Sequence, residues 1–203
     1  MNVDRTINII VPGYPRGFLP QTVLLNAFST IQVEGVARGN SVSAMRAVVQ
    51  RVKGASVKVD GELISSVGPG LCVLVGIHKS DTKKDIDWLV NKLLTLKLFG
   101  DEGGKRWSKN VVDSGHEILC VSQFTLYYSL KGTKLDFHNA MPATQSQPFY
   151  EEFLSSLRTA YLPDRIKDGK FGAMMDVSLI NDGPVTIQLD SPTQPTATSG
   201  DIS

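Results

Sequence analysis

The chain contains little cysteine and no long apolar stretch. Its 203 residues include two cysteines, Cys72 and Cys120, and each lies in an apolar run. Such cysteines are typical of small core side chains in a reducing compartment, so neither a disulfide nor half of a zinc site is predicted. No run approaches the roughly 18 consecutive apolar residues of a membrane-spanning helix, and no membrane association is predicted.

The sequence also has little excess charge and few histidines. Its 21 Lys and Arg against 20 Asp and Glu give a formal net charge of +1. This balance argues against a protein whose whole surface is basic and binds nucleic acid along its length. The three histidines, His78, His116 and His138, lack the spacing of paired ligands, so no metal site is predicted. Local basic patches remain available at residues 105–109, 131–134 and 165–170.

Two common catalytic motifs are missing. The sequence has no Gly-x-Ser-x-Gly nucleophile elbow. Residues 100–106 resemble a phosphate-binding loop only superficially, because the spacing is one residue short and Arg106 replaces the hydroxyl residue. This segment predicts a surface loop with a basic end.

The composition divides the chain into three parts. Residues 1–44 contain three prolines and no sustained hydrophobic period, which predicts a poorly structured N-terminal extension. A domain is predicted over residues 45–190. Residues 191–203 are mainly Ser, Thr, Pro and Gly and predict a disordered tail. We expect a cytoplasmic protein, with mitochondrial import as the alternative if residues 1–44 act as a transit peptide.

The predicted domain contains both strands and helices. Residues 55–59 and 62–64 flank Asp60-Gly61, which is typical of a β-hairpin. Unbroken apolar runs predict buried strands at residues 71–77 and 117–123, and two final strands are predicted at 173–180 and 185–189. Apolar residues recur at helical spacing after Thr82 and again after Thr144, and both segments resemble capping boxes. The order strands, helix, strand, helix, strands predicts a single α/β domain with a mostly buried sheet.

Three hydrogen-bonding side chains follow a predicted interior strand. They are Ser122, Gln123 and Thr125, separated by Phe124. Polar groups at such a position need partners or a cleft, and ligands in α/β sheets bind outside the carboxyl ends of strands. The segment therefore predicts either a ligand site or hydroxyl groups that cap the strand by bonding to backbone.

A second unusual segment is Asn181-Asp182-Gly183-Pro184-Val185-Thr186. A Gly-Pro step between strands is ordinarily a turn. However, glycine leaves no side chain in front of its carbonyl, and an X-Pro bond adopts the cis form at small cost. A backbone surface of this kind could distinguish the hydrogen of one enantiomer from the side chain of the other by steric contact.

Several motifs together resemble the D-aminoacyl-tRNA deacylase family, also called D-tyrosyl-tRNA deacylase. They are Met-Arg-Ala-Val-Val-Gln-Arg-Val from Met45, Ser-Gln-Phe-Thr-Leu from Ser122, and Phe-Gly-Ala-Met from Phe171 leading into Asn-Asp-Gly-Pro-Val-Thr. Their order and spacing match over residues 45 to about 192. Asp-Phe-His-Asn-Ala-Met-Pro from Asp136 is similar to the eukaryotic branch. The extension has no counterpart in the family pattern.

The resemblance implies a homodimer that hydrolyses the ester of D-aminoacyl-tRNA and so proofreads chirality in translation. It implies a Gly-cis-Pro step, matched here by Gly183 and Pro184, which completes the partner's active site and rejects L-amino acids through backbone carbonyls. The segment from Ser122 to Thr125 surrounds the ester and the 3′-terminal adenosine, while Phe171 and Met175 line the pocket.

Within this scheme, catalysis rests on positioning more than on a nucleophile. Ser122, Gln123 and the N–H groups around Phe124 are expected to position the ester and its oxyanion. Thr125 is a candidate nucleophile or water-orienting group, although no general base is near it in sequence. No metal or other cofactor is required.

Two other functions stay open. Because glycine has no side chain, glycyl-tRNA is expected to pass a filter that excludes L side chains. The alternative class is a nucleic-acid-binding or scaffold protein that uses the basic loops and the Ser/Thr tail. The tail has no basic residue, which argues against it as a direct phosphate contact.

Overall fold

The computed structural model describes residues 45–192. The predicted extension, residues 1–44, lies outside this range, as does the tail beyond residue 192, so the predicted domain boundaries stay predictions. The eight strands, β1 to β8 in chain order, are Arg46–Val59, Glu62–Val67, Gly70–Gly76, Glu117–Ser122, Ser129–Lys131, Lys134–Asp136, Ile166–Asp168 and Asp176–Asp190. The helix α1 covers Lys83–Thr95 and the helix α2 covers Ala143–Ala160. Two 3-10 turns cover Phe124–Tyr127 and Pro163–Arg165.

The long strand β1 organises the main sheet. One of its edges pairs with β3 as far as Val52 and with β2 from Ala55 onward, and β8 pairs along the other edge with register shifts near Val52. The path β2-β1-β3-β4-β7 completes the sheet, in which β3, β4 and β7 run parallel. The α/β fold class predicted from the sequence is confirmed.

The middle strands of the sheet, β3 and β4, are buried on both faces. On β3, Leu71, Val73 and Val75 face the cluster that both helices cover. Cys72 faces a second cluster, which contains Val57 on the far half of β1. Successive strand residues point to opposite faces, so an unbroken apolar run is expected where both faces are buried, and that prediction is confirmed.

Both cysteines are free and buried, as predicted. Burial raises the pKa of the Cys72 thiol to about 11. The pKa of the Cys120 thiol is raised further, first by its burial and then by the nearby Asp168 carboxylate. Both thiols are therefore neutral packing groups at physiological pH.

The first helix begins as its sequence predicts. Thr82 and Asp85 form a capping box, in which Asp85 Oδ2 accepts from the Thr82 N–H at 2.8 Å and also from the Thr82 hydroxyl at 2.9 Å. A backbone bond from the Asp85 N–H to the Thr82 carbonyl, at 3.0 Å, closes the same turn. Asp85 Oδ1 also accepts from the Ser191 hydroxyl at 2.6 Å, so the cap ties the residue after β8 to α1.

The predicted second capping box is wrong. The helix α2 begins at Ala143, with Pro142 at its N-cap and no side-chain cap, so residues 144–147 lie inside its first turns. The preceding residue is fixed from outside, because the Met141 N–H donates to the Ile77 carbonyl at 3.0 Å. The Gln145 and Ser146 N–H groups then both bond to the Pro142 carbonyl. Neither helix within the described residues is long and apolar enough to cross a membrane.

The two predicted final strands are one strand. The register of β8 on β1 shifts between Asn181, opposite Val52, and Val185, opposite Arg51, so Asp182, Gly183 and Pro184 form a bulge rather than a turn. Pairing with β1 resumes on both sides of the bulge, which is why the strand continues. The short strands β5, β6 and β7 were not predicted.

Candidate functional site

The polar segment from Ser122 to Thr125 leaves the sheet at the carboxyl end of β4. The Gln123 N–H donates to the Val75 carbonyl of the parallel strand β3 at 2.7 Å, and the chain then enters the 3-10 turn Phe124–Tyr127. Ser122, Gln123 and Thr125 are half-buried. The sequence prediction of polar groups at a strand end is therefore confirmed in position, in the place where α/β sheets bind ligands.

Neighbouring strands fix this 3-10 turn. A Cβ added to Gly76 would lie 3.0 Å from Leu126 Cβ and 3.0 Å from the Tyr127 ring, so only glycine lets the turn pack so closely on β3. From β1, Arg46 Nη1 donates to the Leu126 carbonyl at 3.0 Å, and its guanidinium lies 5.3 Å from the centroid of the Tyr127 ring. The turn is thus held rigidly under the site.

The Thr125 hydroxyl contacts the Gln123 amide. Gln123 Nε2 donates to Thr125 Oγ1 at 2.5 Å. Within the described residues, no imidazole, carboxylate or amine hydrogen-bonds to Thr125, and the Ser122 hydroxyl bonds to no other group of the chain. His78 Nδ1 lies 2.8 Å from Ser80 Oγ, and burial lowers the pKa of this imidazole. Neither the Ser122 nor the Thr125 hydroxyl caps the strand through backbone, which disfavours the purely structural interpretation.

Phe124 forms an exposed aromatic edge of the site. Its side chain is 58% exposed, and its ring lies edge-on to Phe137 at 5.1 Å between centroids. Next to Phe137, the Asp136 carboxylate binds Lys131 and, at 2.8 Å, His138 Nδ1. Hydrogen bonds from these two residues, from Lys131 first, lower the pKa of Asp136. The basic stretch at residues 131–134 is therefore partly neutralised by its own hairpin.

Phe171 and Met175 lie on the chain that follows β7. The Gly169 N–H donates to the Cys120 carbonyl at 3.0 Å, so residues 170–175 emerge at the same end of the sheet as Ser122. Phe171 packs against Tyr150 at 5.8 Å between centroids and is half-buried. Met175 packs on the second core cluster, and its sulfur accepts from the Lys170 N–H at 3.3 Å. Both predicted pocket residues also serve the core.

Gly183 and Pro184 form an exposed bulge in β8. Their peptide bond is cis, and Gly183 has a φ of +124°. Arg51 on β1 holds the preceding residue, because its Nε lies 2.9 Å from Asp182 Oδ2 and 3.2 Å from the Asp182 carbonyl. Arg51 Nη1 also donates to the Leu98 carbonyl at 2.5 Å. Sequence analysis missed Arg51, and a charged residue among the apolar residues of a central strand was the available signal.

Within one chain, the Gly183-Pro184 bulge and the Ser122 segment lie at opposite ends of the sheet. A row is here a set of residues that pair with one another across neighbouring strands. Ser122 is in the same row as Val75 on β3, whereas Val185 is in the row of Ile118. Those rows are four residues apart on β4, or about 13 Å, and β8 is three strands from β4, or about 14 Å. The two predicted halves of the site are therefore about 20 Å apart in one chain. The structure does not bring them together.

The three basic stretches also lie apart from one another. Residues 105–109 border the Gly183-Pro184 bulge, residues 131–134 form the tip of the β5–β6 hairpin, and residues 165–170 run along β7. No group of three or more His, Cys, Asp or Glu side chains in the described part of the chain is placed to hold a metal ion.

The fold is that of a mixed α/β protein with polar side chains at the carboxyl end of a strand in the parallel part of its sheet. The family model described as D-Tyr-tRNA(Tyr) deacylase matches residues 48–190. The chain therefore belongs to the D-aminoacyl-tRNA deacylase family, whose members are hydrolases that act on aminoacyl-tRNA esters. The resemblance found in the sequence motifs is confirmed.

Individual relatives agree with this assignment. The chain is 59% identical to human D-aminoacyl-tRNA deacylase 1 over 155 residues, which cover 76% of this chain and 74% of the relative. It is 60% identical to the Drosophila melanogaster D-aminoacyl-tRNA deacylase over 150 residues, covering 74% of this chain and 94% of the relative. These values extend over most of the predicted domain.

Two solved structures share the fold. One, described as c-Myc DNA Unwinding Element Binding Protein, has a TM-score of 0.70 and 59% identity, and the match covers 72% of this chain and 99% of the other. The second, described as "a probable eukaryotic D-amino acid tRNA deacylase", has a TM-score of 0.65 with the same coverage. At 18% identity, that second match is evidence for the fold alone.

Proposed function

We propose that this deacylase works as a homodimer, in which the Gly183-Pro184 bulge of one subunit completes the ester site formed by the Ser122 segment of the other. The observation that carries the proposal is the separation of about 20 Å between these segments within one chain. A site that uses both segments needs two copies of the chain. A twofold dimer would create two identical sites, each built from both subunits.

In this composite site the bulge acts as a steric filter. Gly183 and Pro184 are both exposed, and Gly183 has no side chain to cover its carbonyl. A carbonyl set against the α-carbon of the substrate leaves room for the α-hydrogen of a D-aminoacyl group. The same carbonyl collides with the side chain of an L-aminoacyl group. Glycine has only hydrogens there, so the same filter admits glycyl-tRNA.

The Ser122 segment positions the ester of the tRNA 3′ end. The Ser122 hydroxyl has no partner among the described residues, so it is available to the substrate. The Phe124 and Thr125 N–H groups begin the 3-10 turn and have no acceptor inside it, which suits them to a developing oxyanion. Gln123 orients the Thr125 hydroxyl. An activated ester beside a ribose hydroxyl needs positioning and charge stabilisation more than a protein nucleophile.

Mixed dimers test whether the site crosses the subunit interface. One variant, Gln123→Ala, weakens the ester site, and the other, Gly183→Ala, distorts the filter. In a dimer with one copy of each, one site has both defects and the other has none. We therefore expect mixing to restore D-selective hydrolysis above the mean of the two parent variants.

The mixed dimers would behave differently if each site lay within one chain. If both halves of the site belonged to the same chain, every site would keep one defect and mixing would only average the two activities. Size-exclusion chromatography with light scattering provides an independent measurement. A fully active monomer would contradict the composite site.

A second candidate function is binding of nucleic acid other than aminoacyl-tRNA. Its support is the 59% identical structure described as a DNA unwinding element binding protein, together with the exposed basic stretches at residues 105–109 and 131–134. Gel-shift titrations with a DNA duplex at several salt concentrations test this candidate. Specific binding predicts a dissociation constant that rises when Lys131 and Lys134 are both changed to Ala, and an unchanged constant would contradict it.

We also propose a cytoplasmic location, with residues 1–44 as the segment that decides between cytoplasm and mitochondrion. Fluorescent fusions with and without these residues test it directly. Mitochondrial signal that requires residues 1–44 would favour the import alternative.

A further inference from the structure

A cavity of about 450 Å³ adjoins the Gly183-Pro184 bulge, and the steric filter alone does not use its other lining residues. We call it the Trp107 cavity. Its volume lies within the range of about 300–1,000 Å³ that is usual for small-molecule sites. Its main lining residues come from β1, from the loop after α1 and from the bulge itself: Arg51, Phe99, Arg106, Trp107, Gly183 and Pro184.

One wall of the cavity is a preformed aromatic surface. Trp107 is 53% exposed, and the Arg51 guanidinium lies 5.7 Å from its ring centroid. Arg51 is itself fixed by the Leu98 carbonyl and Asp182. Trp107 also has a φ of +56°, a left-handed conformation that bulky residues rarely adopt. A large aromatic side chain is thus held at the mouth of a cavity, with much of its surface open to a ligand.

The charge available in this cavity is positive. The Arg51 charge is offset by Asp182, at 2.9 Å. Arg106 is exposed, and its guanidinium makes no ion pair or hydrogen bond with any described residue. The cavity therefore offers one free guanidinium next to an open aromatic face. That combination suits a ligand with a flat ring and a phosphate.

We propose that the Trp107 cavity binds an unpaired nucleotide of the tRNA 3′ end, with its base on Trp107 and its phosphate on Arg106. The proposal rests on the proposed function, because Gly183 and Pro184 belong both to the cavity and to the steric filter. The subunit that supplies the filter thereby also supplies a nucleotide site. Each tRNA end is held by both subunits, its ester by one and a nucleotide beside the ester by the other.

The first test is binding of the RNA trinucleotide CCA, followed by tryptophan fluorescence. The chain has two tryptophans, so the full-length Trp88→Phe variant leaves Trp107 as the only reporter. We expect saturable quenching by CCA, and much weaker quenching by inorganic phosphate at the same concentration. Adding Arg106→Ala should raise the dissociation constant for CCA about tenfold.

Three outcomes of this test would overturn the proposal. The first is the absence of saturable quenching by CCA. The second is a Trp107 emission that changes with protein concentration but not with CCA, which would mean that the second copy of the chain fills the cavity. The third is equal quenching by phosphate and CCA, which would contradict base stacking.

Kinetics with D-tyrosyl-tRNA separate this proposal from the proposed function. We expect Trp107→Ala and Arg106→Ala each to raise KM about tenfold more than they lower kcat, because stacking and phosphate contacts hold the tRNA end without taking part in the reaction. Trp107→Phe should have a KM close to that of the unaltered protein, because phenylalanine keeps an aromatic face for stacking. Lys58→Ala removes an exposed charge on β1 away from the cavity and should leave KM unchanged.

The two hypotheses fail in different ways. Equal hydrolysis of D- and L-tyrosyl-tRNA by the unaltered protein would contradict the proposed filter. A normal D preference with an unchanged KM in both variants would overturn the nucleotide site alone. A changed D preference with an unchanged KM would also overturn it, because the cavity would then act only on the filter.

Discussion

Gly183→Ala is the substitution whose effect the structure specifies most closely. Gly183 has a φ of +124°, which L side chains rarely adopt. A Cβ there would lie 3.0 Å from Val185 Cγ2, 3.1 Å from the Val185 nitrogen and 3.3 Å from Arg51 Nη2. The backbone nitrogen cannot move independently of Pro184. The added methyl group should therefore shift the bulge itself.

Backbone strain of this kind is worth about 1–3 kcal/mol. At about 2–4 °C per kcal/mol, a cost near 2 kcal/mol lowers Tm by about 4–8 °C. Displacement of the filter should also reduce the ratio of D- to L-tyrosyl-tRNA hydrolysis by about tenfold, since a misplacement of about 1 Å can cost about 100-fold in rate. The assay is single-turnover deacylation of both tRNAs, paired with a thermal melt.

Gly61→Ala is the matched control. Gly61 has a φ of +82° in the β1–β2 hairpin, and nothing lies within 4 Å of a Cβ placed there. It carries a comparable backbone strain of about 1–2 kcal/mol without a steric contact and far from the filter. Its Tm should fall while its D/L ratio stays at the unaltered value. A Gly183→Ala protein that kept both its Tm and its D/L ratio would refute the reasoning.

Three further substitutions test the site and its supports. Thr125→Ala should lower kcat less than tenfold in the deacylation assay, because the Thr125 hydroxyl accepts from Gln123 and meets no general base among the residues that the structure describes. Asp85→Ala should lower the free energy of unfolding by about 2–4 kcal/mol in urea titrations. It removes a helix cap and leaves the buried Ser191 hydroxyl without its hydrogen-bond acceptor. Burial raises the pKa of Asp81 to about 7, so ionisation is disfavoured in the folded state. Stability should therefore fall as pH rises from about 4 to 7, by on the order of 3 kcal/mol, and Asp81→Asn should abolish this fall.

Each of these predictions has a contrary result. A loss of 1,000-fold or more on Thr125→Ala would favour a nucleophile after all, on the order of magnitude expected for covalent catalysis. Asp87→Ala is the control, because it removes only an exposed ion pair with Lys83 and should lower the free energy of unfolding by about 0.5 kcal/mol. An equally small decrease for Asp85→Ala would contradict the buried hydrogen-bond network. A pH dependence of stability that persists in Asp81→Asn would assign it to other groups.

Sequence reasoning succeeded where the determinants are local. The hairpin at Asp60-Gly61 forms because both residues adopt positive φ, and the Thr82–Asp85 cap forms within one helical turn. The strand β3 was recognisable because its apolar run matches burial on both faces. In the hairpin and the helix cap, the interacting groups lie close in sequence. In β3, the apolar run needs only to indicate burial, not a particular partner.

Sequence reasoning failed where distant residues decide. A Gly-Pro step ordinarily ends a strand, but pairing with β1 on both sides of the bulge carries β8 through it. The start of α2 depends on the bond between Met141 and Ile77, which no local pattern reveals. The side chains of Arg51 and Trp107 meet only because the sheet and the loop after α1 come together.

The site was predictable in part. The Ser122 segment stood out because polar side chains at the end of an interior strand need partners or a ligand. Its separation from Gly183 could not be read from the sequence, because it depends on the register of β1, β3, β4 and β8. Under the proposed function, that separation requires a site built from two chains.

The most direct test of the central claim compares the release of D-tyrosine and L-tyrosine from tRNA by the purified full-length protein. The account predicts that D-tyrosyl-tRNA is hydrolysed at least 100-fold faster, because the Gly183 carbonyl collides with an L side chain and a collision worth about 3 kcal/mol corresponds to about 100-fold in rate. Equal rates on the two enantiomers would contradict the filter and the composite site built on it.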